Sequence, residues 1–187
     1  MLRRLSVFLI LVVAFGVATL AAPRPTRARA AQSKRVTRVL VKKGEHSMQL
    51  LAADGKGREE VVATYSVAIG PGGSGPKRQE GDRTTPVGRY HVTMHQPSQY
   101  KVFLRLDYPT AADHQRFAML KARGELPKSA RIGGDIGIHG PPVSLGPAAK
   151  ALLEKVDWTA GCIAVDEEEI VEIARLVPDG TIVDIEE

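Results

Sequence analysis

Cysteine is almost missing from this chain: its 187 residues include one, Cys162. An intrachain disulfide is therefore excluded, and so is a structural zinc site built on paired cysteines. Histidine is sparse as well, at five residues. His91 and His95 are four apart, the spacing of one helical face, but their surroundings (Gly88-Arg-Tyr-His-Val-Thr-Met) read as a strand. No metal site and no cofactor is expected. No basic run is interleaved with aromatics, and no internal repeat or low-complexity segment occurs. The formal charge of +5 is concentrated at the start of the chain. Residues 1–31 hold five arginines and no acid, which leaves 21 basic residues against 21 acidic ones in the remainder. A neutral domain without a basic stripe lacks the electrostatic footprint of a nucleic-acid binder.

The N-terminus has the form of an export signal. Arg3 and Arg4 precede an apolar run from Leu5 to Ala22, and Ala28-Arg29-Ala30 offers a small-x-small cleavage site. The run is long for a signal core and short for a comfortable membrane span. Residues 1–31 are therefore read as a signal peptide, with an uncleaved N-terminal membrane anchor as the alternative. Both place the rest of the chain outside the cytoplasmic membrane. That remainder, residues 36–187, is the size of one ordinary domain and can bury a core without disulfides.

Its first half patterns as β-structure. Arg38-Val-Leu-Val-Lys-Lys alternates loosely, Met48-Gln-Leu-Leu-Ala runs to a turn signal at Asp54-Gly55, and Glu60 to Ile69 makes a longer strand. Gly70-Pro-Gly-Gly-Ser-Gly-Pro is a loop, after which Val87–Met94 and Lys101–Leu106 resume strands. Helices enter in the second half. Ala111–Arg123 has helical spacing and stops at Gly124; Pro147–Val156 is rich in Ala, Leu and Lys. A third helix starts at Asp166, with Glu169 completing a capping box and Ile170, Ile173 and Leu176 on its buried face. Thr181–Ile185 is a last strand. The class is mainly β with short helices (α+β).

Two short segments carry chemistry. Thr159-Ala160-Gly161-Cys162-Ile163-Ala164-Val165 puts the lone thiol after a glycine and before a buried apolar triplet. Asp135-Ile136-Gly137-Ile138-His139-Gly140 puts a histidine at the end of another apolar run. A thiol and an imidazole, each at a strand edge beside glycine, are the minimal parts of a cysteine nucleophile with its base. A lone cysteine is more commonly a small buried hydrophobe. Here, however, it is unpaired in a chain that looks exported, which calls for an explanation.

These residues resemble the catalytic domain of L,D-transpeptidases, the YkuD-type domain of bacterial cell-wall enzymes. The resemblance rests on Ile138-His139-Gly140, on Thr159-Ala160-Gly161-Cys162-Ile163, and on Gly81-Asp82-Arg83-Thr84-Thr85-Pro86-Val87-Gly88-Arg89-Tyr90, in that family's order. It implies a compact β-sandwich or barrel-like core with a helix packed against it. It implies Cys162 as nucleophile and His139 as acid/base, the imidazole being held by the carbonyl of Gly140. The amides of Gly161 and Cys162 become the oxyanion donors, and Thr159 bonds the loop or ends a turn. It also implies peptidoglycan stem peptides as substrate. The Gly81–Tyr90 segment reads either as a plain loop-to-strand junction that shapes the sheet or as one wall of the substrate groove, with Arg83 or Arg89 facing the substrate's carboxylates.

The chain departs from the family pattern at Ala160, where histidine is common, and at Ala164, where arginine is common. The 22 residues between His139 and Cys162 make a long gap, so that Leu145–Trp158 forms an excursion over the site. Other readings stay open. They are a carboxypeptidase or amidase on the same scaffold, a non-catalytic wall-binding module, and a structural protein with an inert buried Cys162. A papain-like protease is disfavoured, because there the histidine follows the cysteine.

Overall fold

The structure is a computed structural model and describes residues 35–187; the expected export signal or anchor lies outside the described residues. Among the described residues, eight strands and three helices follow one another. They are β1 (Val36–Lys42), β2 (Ser47–Ala53), β3 (Glu59–Ser66), β4 (Gly88–Ser98), β5 (Lys101–Leu106), α1 (Ala111–Ala122), β6 (Gly137–His139), α2 (Pro147–Leu153), β7 (Ile163–Ala164), α3 (Glu167–Leu176) and β8 (Ile182–Glu186). All eight strands form one sheet in the order β3-β2-β1-β8-β4-β5-β6-β7. The sheet curls until its two edges meet. Ala68, just beyond β3, and Ala164 of β7 exchange backbone hydrogen bonds of 2.9 and 2.8 Å. The mainly β, barrel-like core expected above is what the chain forms.

The loose alternation of β1 has a local cause. Its pairing with β2 shifts register between Val36 and Arg38, so Val36 and Val39, three apart, both point inward with Val41. The hairpin between β2 and β3 is wider than the Asp54-Gly55 signal suggests. Asp54 closes it by bonding Arg58 at 2.8 Å, and its carboxylate accepts from the amides of Lys56 and Arg58. Gly57, at φ +76°, takes the left-handed position. The side-chain acceptor favours a longer loop over the two-residue turn.

The third helix forms as its capping box requires. Asp166 accepts from the Glu169 amide at 2.6 Å, and Glu169 accepts from the Asp166 amide at 3.3 Å. Ile170 and Ile173 are fully buried, while Leu176 is only half-buried and Val177 completes the face. Each buried isoleucine contributes about 1.5–3 kcal/mol. The second helix ends at Leu153, three residues before Val156, and buries none of its residues. Its leucine and alanine content is therefore not matched by core contacts, and Leu152 and Val156 stay exposed.

The C-terminal strand holds the sheet together. β8 inserts between β1, to which it is parallel, and β4, to which it is antiparallel. Val183 and Ile185 point into the core, where Leu50, Tyr90, Leu104, Ile138 and Ile163 also lie. The short strands β6 and β7 sit at the other end of the sheet and carry the candidate site. Among the described residues no helix is long and apolar enough to cross a membrane.

Candidate active site

Strand register brings His139 and Cys162 together. β6 and β7 are parallel, with Ile138 beside Ile163 and His139 beside Ala164. Paired residues share a face of the sheet, and so do residues two apart. Cys162, two before Ala164, therefore lies on the face of His139, one pleat back. Both line a cleft of about 480 Å³ together with Tyr100, Arg105, Asp135 and Trp158.

His139 is 3% exposed and enclosed by aromatic rings. The Tyr100 ring centroid lies 4.3 Å away, Phe103 stacks at 5.8 Å and 14°, and Trp158 meets it edge-on at 5.6 Å. Nδ1 lies 2.7 Å from the Gly140 carbonyl oxygen. A carbonyl only accepts, so Nδ1 carries the hydrogen and Nε2 is the basic nitrogen. Burial pushes the imidazole below its ordinary range, and the Gly140 carbonyl offsets this only in part. The ring is neutral at pH 7 and able to take a proton.

The Cys162 thiol is half-buried and donates to the Asp135 carbonyl at 3.4 Å. Burial pushes its pKa up, against smaller downward pulls from the Gly137 amide and the Lys77 ammonium. The resting pair is thus thiol and neutral imidazole, so the proton must leave sulfur as attack begins. Alkylation by iodoacetamide should therefore rise only through alkaline pH, with a midpoint above that of an unstructured cysteine peptide. A midpoint below pH 7 would mean a resting thiolate instead.

The turn before the thiol requires glycine. Gly161 has φ +129°, and a Cβ there would lie 2.9 Å from the Thr84 carbonyl oxygen and 3.2 Å from Ile136 Cδ1. Thr159, 3% exposed, staples this turn: its hydroxyl donates to the Cys162 carbonyl at 2.8 Å and accepts from the Gly161 amide at 3.2 Å. The Gly161 amide thus already has a partner, and the Cys162 amide is the freer of the two expected oxyanion donors. Gly161→Ala should cost about 1–3 kcal/mol of stability, the usual range for such strain. It should also lower turnover more than the loss of folded protein explains. Melting and single-turnover rates on the folded fraction would check both.

The Gly81–Tyr90 segment lies beneath this turn. Asp82 accepts from Lys77 Nζ at 2.6 Å and from the amides of Arg78, Gln79 and Thr84. Thr85 Oγ1 accepts from the Gly70 amide at 3.0 Å. Arg83 is exposed, with φ +56°, and donates to the Trp158 carbonyl at 3.3 Å, which braces the loop that leads to Cys162. Arg89 is not brought to the cleft. It binds both oxygens of Asp184 on β8, at 2.7 and 3.0 Å, and Arg38 shares that carboxylate. The β4–β8 pairing sets its guanidinium against Asp184, away from the residues that line the cleft. The arginine in the cleft is Arg105. No local pattern marks it, since only the β5–β6 register, which sets it beside Gly137, places it next to Cys162.

Among the described residues no group of histidine, cysteine or acidic side chains is arranged to hold a metal. His91 and His95 lie along β4 and pair separately, with Asp107 and Asp179.

The family model for the L,D-transpeptidase catalytic domain, YkuD, matches residues 36–185. The chain belongs to this family. No curated protein sequence matches it. Among solved structures, it resembles the helical cell shape determining protein Pgp2 of Campylobacter jejuni in a K307A mutant form. The identity is 25%, with a TM-score of 0.59 over 83% of this chain and 48% of that one. It also resembles Bd1075 of Bdellovibrio bacteriovorus, at 18% identity and a TM-score of 0.55 over 82% of this chain and 49% of that one. The chain spans about half the length of each. The second likeness shows the fold alone. This chain carries Ile138-His139-Gly140 at the end of β6 and Thr159-Ala160-Gly161-Cys162 in the turn that enters the neighbouring β7, with Ala160 and Ala164 at the two positions of departure.

Proposed function

We propose that this protein is an exported cysteine acyltransferase of the cell envelope, acting on peptidoglycan stem peptides with Cys162 as nucleophile and His139 as acid/base. The observation that carries this reading is the neutral, carbonyl-locked imidazole of His139 in the same cleft as the Cys162 thiol. The likeness to a cell-shape-determining protein supports peptidoglycan as the material acted upon.

Cys162 Sγ attacks the carbonyl carbon between the third residue of the stem, a diamino acid, and the terminal D-alanine. His139 Nε2 takes the thiol proton as the S–C bond forms. The Cys162 amide donates to the oxygen that becomes negative. The C–N bond breaks, His139 returns the proton to the amine of D-alanine, and a thioester remains. An amine of a second stem or of an envelope protein then attacks the thioester. His139 takes the amine proton and returns it to sulfur. Water in place of the amine gives the hydrolase reading, with the same residues in the same roles.

The test is incubation of residues 32–187 with a defined tetrapeptide stem, with and without an amine acceptor, followed by mass analysis. A new amide dependent on the acceptor establishes the transferase. Loss of D-alanine alone, whatever acceptor is added, establishes the hydrolase, and no change in either sample removes both.

Burial of His139 also sets a pH dependence of stability. Its folded pKa is depressed, so the unfolded chain binds the proton more readily. The stability associated with the neutral ring is complete above the ordinary histidine value of about 6.5 and is lost as pH falls toward the folded value. The melting midpoint should therefore drop between pH 7.5 and 5 by more in the wild type than in His139→Gln. Equal drops would show that other groups govern the acid limb.

A further inference from the structure

One ion pair in the cleft has no part in the chemistry described so far. Arg105 of β5 and Asp135, just before β6, are joined through guanidinium and carboxylate. Asp135 belongs to the reaction centre through its backbone, because its carbonyl accepts from the Cys162 thiol. Its backbone is left-handed, at φ +55°, and its carboxylate projects outward, 83% exposed. Arg105 is more tightly held. Its side chain is 33% exposed and its guanidinium carbon lies 5.7 Å from the Phe103 ring centroid. Phe103 in turn stacks on His139.

A pair so exposed adds little to stability, so parting it costs little. Both charges remain useful to a ligand that supplies the complement of each. A side chain ending in an α-carboxylate and an α-ammonium does so: the carboxylate replaces Asp135 at the guanidinium, and the ammonium replaces Arg105 at Asp135. A lone carboxylate, such as that of the terminal D-alanine, would satisfy Arg105 and leave Asp135 unpaired. Arg105 can also present two parallel N–H donors to a carboxylate, which Lys could not.

We infer that the Arg105–Asp135 pair recognises the free amino-acid end of the stem's diamino acid, exchanging its internal ion pair for one with the substrate's carboxylate and ammonium. The inference rests on the stem-peptide reading above and adds a discrimination to it. Stems whose third residue is a diamino diacid with both groups free are bound, whereas those amidated at that carboxylate, or carrying a simple lysine there, are disfavoured.

The test separates binding from turnover. Cys162→Ala protein is titrated calorimetrically with a tetrapeptide stem containing 2,6-diaminopimelic acid and with the same stem amidated at the side-chain carboxylate. Amidation should weaken binding about tenfold, the effect of losing one charge-assisted contact. In the Cys162→Ala, Arg105→Gln protein the two stems should bind alike, at the affinity of the amidated one. Acetylating the side-chain amine should act the same way through Asp135, and Asp135→Asn should remove that difference. Equal affinity of the Arg105-containing protein for both stems overturns the inference, and that result needs no variant of Arg105. Arg105→Gln weakening both stems equally also overturns it, and would assign Arg105 to the terminal carboxylate. Absence of binding by either stem overturns it as well. Failure of the enzymatic reading looks different, because stems would bind yet remain uncleaved by protein that keeps Cys162.

Discussion

Cys162→Ser should leave the protein folded and without measurable turnover of stem peptides. The side chain is half-buried just before a two-residue strand, and oxygen fits where sulfur sits, so the cleft keeps its shape. The thiol is already held protonated by burial, with an imidazole rather than a strong base beside it. A hydroxyl is far harder to deprotonate, and a neutral imidazole without a buried carboxylate partner does little to compensate. Rates should fall to background, while the unfolding free energy stays within about 1 kcal/mol of the wild type, as for a conservative change at a half-exposed position. Retention of most activity would show that another residue attacks. Loss of folded protein instead would make Cys162 a packing residue.

His139→Ala should slow acylation by about 10²–10⁴-fold, the usual contribution of a general base. It should also destabilise the fold, because the imidazole fills the space among Tyr100, Phe103 and Trp158 and satisfies the Gly140 carbonyl. The two effects separate by measuring the acylation rate on the folded fraction. His139→Gln is the companion variant: it keeps a polar group near Gly140 and removes only the basic nitrogen. A loss under tenfold in both variants would place the base elsewhere. If the loss were large in Ala and small in Gln, His139 would act by packing.

The pH behaviour of the site follows from the same burial. A raised thiol and a depressed imidazole leave neither partner charged at rest, in contrast to the thiolate–imidazolium pairs of strongly activated cysteines. Such a site reacts only when an acyl group is positioned against the sulfur. Exposure to water alone gives a slow thiol.

Much of this was legible from the residues alone. The capping box at Asp166 and Glu169 is a contest between neighbours three apart, so chain order settles it. The bounds of most strands follow from apolar spacing and from the glycine and proline loops between them. Cys162, His139, Gly161 and Thr159 could be singled out because the atoms that constrain them lie within a few residues. The Gly140 carbonyl adjoins His139, and the Thr159 hydroxyl spans only as far as Cys162.

What the sequence could not decide depends on contacts between distant segments. Nothing local tells the last strand to insert between β1 and β4, yet that insertion sets Asp184 against Arg89 and takes that arginine out of the cleft. Arg105 had no motif to mark it, and it became part of the site only when β5 paired with β6. The Asp54-Gly55 dipeptide read as a tight turn, but the Asp54 carboxylate organised a wider one. Short-range hydrogen bonds and steric limits act through the chain and are written in residue order. The partner of a charged side chain is chosen by strand register, which is fixed by burying the whole core at once.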